Sequence, residues 1–301
     1  MSQLDRLLRQ GENSADRITK QTERRLIKNY QDALKEIRNK LSAQAEKGNL
    51  TQAQMAKYNR LARLEEDIGK EIGKLTGKNA SNLRKGIGDV YEDQFYRTGY
   101  AVEREAQAKL GFGKLDRDAI EKAIENPADR IGFLERNKEN SQRLRRQLKE
   151  QLTQGLTQGE GYEKIAKRLK DRMDVGANEA LRIARTETHR SQVQGRLEGF
   201  DRAEKAGVVA KRIWVSTLDD RTREDHEEMD GQVADENGMF DVEGIKAEGP
   251  GLTGSAEQDI NCRCAVRMEI VGYEPELRRT REDGTIPYTN FADWKKERIE
   301  S

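Results

Sequence analysis

The sequence predicts a mainly α protein that ends in a small α+β module, and three observations predict it. Proline is confined: of four prolines only Pro127 lies in the first 249 residues, while Pro250, Pro275 and Pro287 fall in the last 52. Helix interiors exclude proline, so the first two-thirds of the chain can run helical and the last third cannot. Charged residues make up 37% of the 301 and aromatics 5%, with a mean hydropathy of −1.00. That balance favours long, thin, solvated helices over one large globular core. After Gly207 the apolar spacing changes from helical to alternating, which marks the start of a small mixed sheet.

The elements follow in chain order. Between about 14 and 46, Ile27, Tyr30, Leu34, Ile37 and Leu41 recur at spacings of three and four, an a/d seam for a partner helix. Gly48 supplies a C-terminal cap, and Thr51 with Gln54 opens the next helix as a capping box. Its apolar face is Tyr58, Leu61, Leu64, Ile68, Ile72 and Leu75, so the two runs form an antiparallel hairpin. A third helix is expected from Ser81 to Leu110, broken by Gly111-Phe112-Gly113. Asp116 caps a short helix before Pro127. Leu144, Leu148, Leu152 and Leu156 form an i, i+4 stripe that ends at Gly159-Glu160-Gly161. Ile165, Leu169 and Met173 give a short helix, and Gly176 to about Ala206 a long one.

Val208–Thr217 reads as a strand with Ile213 and Val215 on one face and Trp214 on the other. Ile260–Val271 reads as another, separated from the first by a glycine-rich loop at 231–254 with few apolar residues. Asn290 to Glu300 reads as a final short helix. Three regions result: an elongated charged helical region at 1–157, an α+β module at 158–273, and a tail at 274–301.

Several function classes are excluded. No apolar run approaches the ~20 residues that span a bilayer, and the first residues lack a secretory h-region. Two cysteines cannot staple a fold of this size. The net charge of +1 conceals a polarity: residues 1–200 hold 41 Lys/Arg against 31 Asp/Glu, and residues 201–301 hold 15 against 24. The basic part suits an anionic partner, and the cluster Arg143, Arg145, Arg146 and Lys149 suits non-specific binding of double-stranded DNA. The alternative reading of those cations is a solvated, salt-bridged helix surface.

Gly69-Lys70, Gly73-Lys74 and Gly77-Lys78 do not make a phosphate loop, because Lys78 precedes Asn79 and not Ser or Thr. Their three glycines at i, i+4 either admit a close neighbour or weaken the helix. His226-Glu227-Glu228-Met229-Asp230 lacks the second imidazole of a zinc-protease helix, and no G-x-S-x-G turn is present. Asp219 or Asp220 is placed to cap a helix that carries Thr222, Arg223 and His226 on one face. Cys262 and Cys264, two apart in a strand-like stretch, point to one face with Arg263 on the other. With His226 they offer three zinc ligands, a fourth coming from Asp219 or water, and two buried reduced thiols are the alternative.

Three stretches in order carry a resemblance: Arg182-Ile183-Ala184-Arg185-Thr186-Glu187; then Trp214 with Asp219, Arg221, Arg223, His226 and Asp230-Gly231; then Asn261-Cys262-Arg263-Cys264. Together, and with the Gly249-Pro250-Gly251 loop, they resemble the phage head morphogenesis family, minor head proteins similar to protein F of phage Mu, over about residues 160–270. The resemblance implies a minor capsid protein present in few copies per virion and associated with the portal protein, with scaffold or major capsid protein as further partners. It implies assembly in the host cytoplasm, a place in the capsid interior or at the portal vertex, and a part in head assembly and DNA delivery. It implies no catalytic residues and no required cofactor. Some bacterial relatives carry the module beside toxin domains, and the stretch after residue 271 is too short for one. The competing reading is a zinc-binding enzyme or toxin-related module using His226, Cys262 and Cys264.

Overall fold

A computed structural model describes residues 3–44, 60–125, 132–217, 219–271 and 296. Among the described residues five helices come first: α1 (Gln3–Gln44), α2 (Arg60–Ala106), α3 (Arg117–Glu125), α4 (Phe133–Thr157) and α5 (Tyr162–Lys205). Then come β1 (Ala210–Val215), α6 (Glu224–Glu228), β2 (Phe240–Val242), β3 (Ile245–Ala247), α7 (Ala256–Asp259) and β4 (Ala265–Ile270). The mainly α class with a small C-terminal sheet is as the sequence predicts. The stop at Gly48, the capping box at Thr51 and Gln54, Tyr58, and the tail helix apart from Lys296 lie outside the described residues.

The helices are longer than the sequence pattern suggests. The break expected before Ser81 is absent, and α2 runs unbroken for 47 residues. Asn79 stays inside because its buried side chain accepts a hydrogen bond from Asn29 at 3.0 Å. The break expected at Gly176 is also absent, and α5 is a single helix of 44 residues. There a Cβ on Gly176 would stand 3.0 Å from Leu144 and 3.2 Å from Tyr30, so this glycine serves close packing and not helix termination. The seam of α1 is Leu26, Tyr30, Ala33, Ile37 and Leu41, all buried, while Ile27 is 38% exposed. The leucine stripe of α4 is buried throughout, as its spacing requires.

Two compact units form, each assembled from separated stretches. One comprises Lys20–Lys85 and Ile131–Ala184 and is a helical bundle. In it α1 and α2 run antiparallel, with Lys40 near Glu71 and Asn29 bonded to Asn79. Asn140 of α4 donates to the Tyr30 hydroxyl at 3.0 Å and to the Gly176 carbonyl at 2.9 Å. The buried Asn140 amide, donating to two elements at once, fixes how these helices are rotated.

The other unit comprises Met1–Thr19, Gly86–Arg130 and Arg185–Ser301 and contains the strands. Its core joins Tyr91, Phe95, Phe112, Leu197, Phe200, Trp214, Phe240, Val266 and Met268. Here α2 and α5 run parallel and very close. Ser191 Oγ donates to the Ile87 carbonyl at 2.8 Å. One turn on, a Cβ on Gly195 would lie 2.4 Å from the Tyr91 carbonyl oxygen, and one on Gly199 would lie 2.7 Å from Thr98. Glycine is required where backbones approach this closely.

β1 pairs antiparallel with β4, from Ala210 opposite Ile270 to Val215 opposite Ala265. The chain at 231–234 lies along the other edge of β1, with Trp214 N donating to Gln232 O at 2.9 Å. β2 and β3 form a second antiparallel pair inside what the sequence reads as a plain loop. Glu243 (φ 50°) and Gly244 (φ 84°) make its two-residue turn, the left-handed pair that matches strand twist. The sequence predicts a mixed sheet, whereas both strand pairs among the described residues are antiparallel; for β2 and β3 the two-residue link requires it.

Two substitutions test the glycine reading. Gly195→Ala is expected to destabilise the protein by about 1–3 kcal/mol through forced separation of α2 and α5. Gly73→Ala, with nothing within 4 Å of its Cβ, is expected to stabilise by about 0.5–1 kcal/mol through helix propensity. Urea midpoints at constant slope measure both.

Candidate functional site

The motif residues converge in the strand-bearing unit. Trp214 of β1 is fully buried, with its ring edge-on to His226 at 5.6 Å and to Phe240 at 5.4 Å. His226 is buried on the short helix α6, which is held from outside: Ser216 Oγ donates to the His226 carbonyl, and the Ser216 amide donates to Asp230 Oδ1 at 2.8 Å. The ring is oriented through Nε2, which lies 2.9 Å from Gln258 Oε1. Gln258 Nε2 in turn donates to Asp225 Oδ2 at 2.5 Å. Because an ionised carboxylate only accepts, this chain fixes the Gln258 amide, and with it the proton on His226 Nε2.

The other ring nitrogen, Nδ1, faces two sulfurs: Cys264 Sγ at 3.4 Å and Cys262 Sγ at 3.6 Å. Both cysteines are free and buried. The strand expected over 260–271 begins only at Ala265, so the cysteines precede it in an irregular turn. Asn261 makes that turn in the left-handed region (φ 58°), where asparagine is favoured among non-glycine residues. The thiols still share one side, through this turn and not through strand alternation. A hydrogen bond from Cys262, with help from His226, pulls the Cys264 thiol down to about 4 against its burial. The same hydrogen bond to Cys264, together with burial, pushes Cys262 up. Burial pulls His226 down, but its bonds to Cys264 and Gln258 and the Asp225 charge leave it raised.

The remaining motif side chains hold this knot in place. Arg223 donates to the Ile260 carbonyl at 2.6 Å. Arg263 grips Asp219 with two bonds of 2.5 and 2.6 Å, and Asp219 also accepts from the Arg221 amide at 3.0 Å. Asp219 therefore does not cap the helix: α6 starts at Glu224 with Arg223 at its N-cap, and no side chain caps it. Nor does Asp219 join the sulfur cluster as a fourth ligand, because Arg263 occupies both its oxygens. Thr222 lies before the helix and donates to the Thr217 carbonyl. Gly231 (φ 78°) donates to the Trp214 carbonyl at 2.9 Å. From α5, Thr186 accepts the Asn261 amide at 3.4 Å, Glu187 is buried 3.8 Å from Arg190, and Arg185 is exposed.

Sequence reasoning missed three contributors. His189 Nε2 donates to the Cys264 carbonyl, 2.8 Å away; burial lowers its basicity. Its place one turn after Thr186 on the same helix face was the available signal. Gln258 and Asp225 gave no signal, since their role depends on α7 being brought to α6. The basic cluster lies in the bundle unit on α4. Lys149 pairs with Glu65 at 3.0 Å, Arg146 is 3.9 Å from Glu150, and Arg143 is 3.8 Å from Glu179. Arg145 lies over Gly69, so that glycine is the one of the three that admits a neighbour.

The phage Mu protein F-like family matches residues 146–267, a span that holds every motif residue from Arg185 to Cys264. The minor head protein GP7 of Bacillus phage SPP1 is 34% identical over 292 residues, 94% of each chain. The chain therefore belongs to the phage minor head protein family. An NAD(+)–arginine ADP-ribosyltransferase of Enterococcus faecalis is 26% identical over 302 residues, covering 99% of this chain and 62% of that protein. No solved structure matches.

The grip of Arg263 holds the Asp219 carboxyl well below the usual carboxylate range. Arg263→Ala is expected to raise it toward the usual carboxylate range, the Arg221 amide and charge still holding it somewhat below, read by NMR titration of the side-chain carboxyl. A depressed carboxylate adds stability above its unfolded pKa and loses it as pH falls through the folded value. The variant should therefore lose less stability on acidification than the wild type.

Proposed function

We propose that this chain is a minor head protein of a tailed bacteriophage, carried in the virion at low copy number, associated with the portal vertex and acting in head assembly and DNA delivery. The end-to-end match to a phage minor head protein, 94% of both chains, carries the reading. The geometry is consistent with a scaffold role. Arg223, Arg263, Asp219, Thr186 and Gly231 direct their polar groups at backbone and at one another, the use expected of residues that organise a loop. The transferase in the name of the enterococcal relative is a property of that protein, of which more than a third lies outside the match.

Co-expression with the portal and scaffold proteins of the same phage tests the proposal. The chain is expected to co-purify with portal and to appear in purified virions at substoichiometric levels relative to the major capsid protein; absence from procapsids and virions would refute it.

Packaged double-stranded DNA is the second partner in this reading, contacted non-specifically through Arg143, Arg145, Arg146 and Lys149. Cations already near carboxylates bind phosphate weakly, so retention of DNA should fall steeply with salt. Reversing Arg145 and Arg146 to Glu is expected to weaken low-salt binding by about tenfold or more in a mobility-shift titration; unchanged binding removes this cluster from the DNA interface.

A further inference from the structure

We propose that His226, Cys262 and Cys264 bind one zinc ion, with a water as the fourth ligand. The three donor atoms all lie within 4.8 Å of one another. A tetrahedral zinc with bonds of about 2.0 Å to nitrogen and 2.3 Å to sulfur sets its nitrogen and sulfur ligands about 3.5 Å apart. The Nδ1 to sulfur separations of 3.4 and 3.6 Å bracket that edge. A pair of thiols has no comparable reason to sit symmetrically here, because Nδ1 has a single lone pair and accepts from one S–H only.

The surroundings prepare the same atoms. Asp225 and Gln258 place the proton on Nε2, leaving the Nδ1 lone pair toward the sulfurs. This is the outer-shell arrangement that orients a metal-binding imidazole. Two thiolates neutralise a divalent ion, so the assembled site places no net charge in a pocket where all three residues are at most 4% exposed. Donors of one nitrogen and two sulfurs in a tetrahedral frame select zinc over calcium or magnesium. Bound there, the ion ties α6 to the turn before β4, a staple for a module without disulfides.

The test uses the full chain, purified without chelator. Elemental analysis is expected to give about one zinc per chain, released in step with modification of two thiols by a mercurial reagent. Chelation should lower Tm by roughly 5 °C or more. Cobalt substitution should give the intense visible bands of a tetrahedral thiolate site, and Cys264→Ser or His226→Asn should abolish them. Should those variants not fold, the wild-type zinc content and cobalt spectrum decide alone. Zinc-free protein whose two thiols titrate freely after anaerobic reconstitution with zinc overturns the proposal, as does a Cys262–Cys264 disulfide found by mass spectrometry. Either result leaves the virion assay untouched, so the two readings fail separately.

Discussion

The strand-bearing unit depends on one buried cation. Arg196 of α5 is 2% exposed, and its guanidinium reaches the Leu8 carbonyl and Glu12 of α1, Gln94 of α2 and the Val266 carbonyl of β4. Four elements far apart in sequence thus share one planar set of donors. A buried charge is costly unless hydrogen-bonded; both terminal nitrogens of Arg196 are bonded while its buried Nε has no hydrogen-bond partner, so α1, α2 and β4 are positioned together by the fork of its guanidinium. The neighbouring Gly195 is what lets α5 come near enough to α2 for this to happen. The His226 cluster follows from the same placement, since β4 starts immediately after Cys264.

The motif of the family can be understood through this arrangement. Asn261 supplies a left-handed turn, Cys262 and Cys264 face inward from it, and Arg263 faces outward to hold Asp219. Arg223 and Thr186 fasten the same turn by its Ile260 carbonyl and Asn261 amide. Trp214 closes the inner side against His226. Each residue type is set by a local requirement: αL backbone, planar forked donor, small acceptor, large apolar edge. These positions form one connected cluster although they span three separate stretches of sequence.

Much of the fold was legible because amphipathic spacing is a local signal. The leucine stripe of α4 and the strand around Trp214 stand where periodicity puts them. The sequence reading of the α1 seam is one residue off at two places, taking Ile27 for Leu26 and Leu34 for Ala33, because neighbouring apolar residues compete and only the packing partner decides between them. The uninterrupted α2 and α5 were not legible. Asn79 and Gly176 look like helix breakers until Asn29, Tyr30 and Leu144 are seen to need them. The convergence of His226 with both cysteines was anticipated from residue type, but for the wrong local reason: a turn at Asn261 and not strand alternation aligns the thiols. Gln258 and Asp225 were invisible because their function exists only in three dimensions.

The close seam between α2 and α5 limits how the two helices can move. Ser191, Gly195 and Gly199 repeat every four residues, and each notch receives the backbone or side chain of one turn of α2. Seats spaced in this way interlock like the teeth of a rack. A slide of one step, about 6 Å, would put the Cβ of Ser191 or of Ala203 into a seat where a Cβ meets α2 at 2.4 or 2.7 Å. Along this axis the seats admit a single register, set by where the two glycines fall.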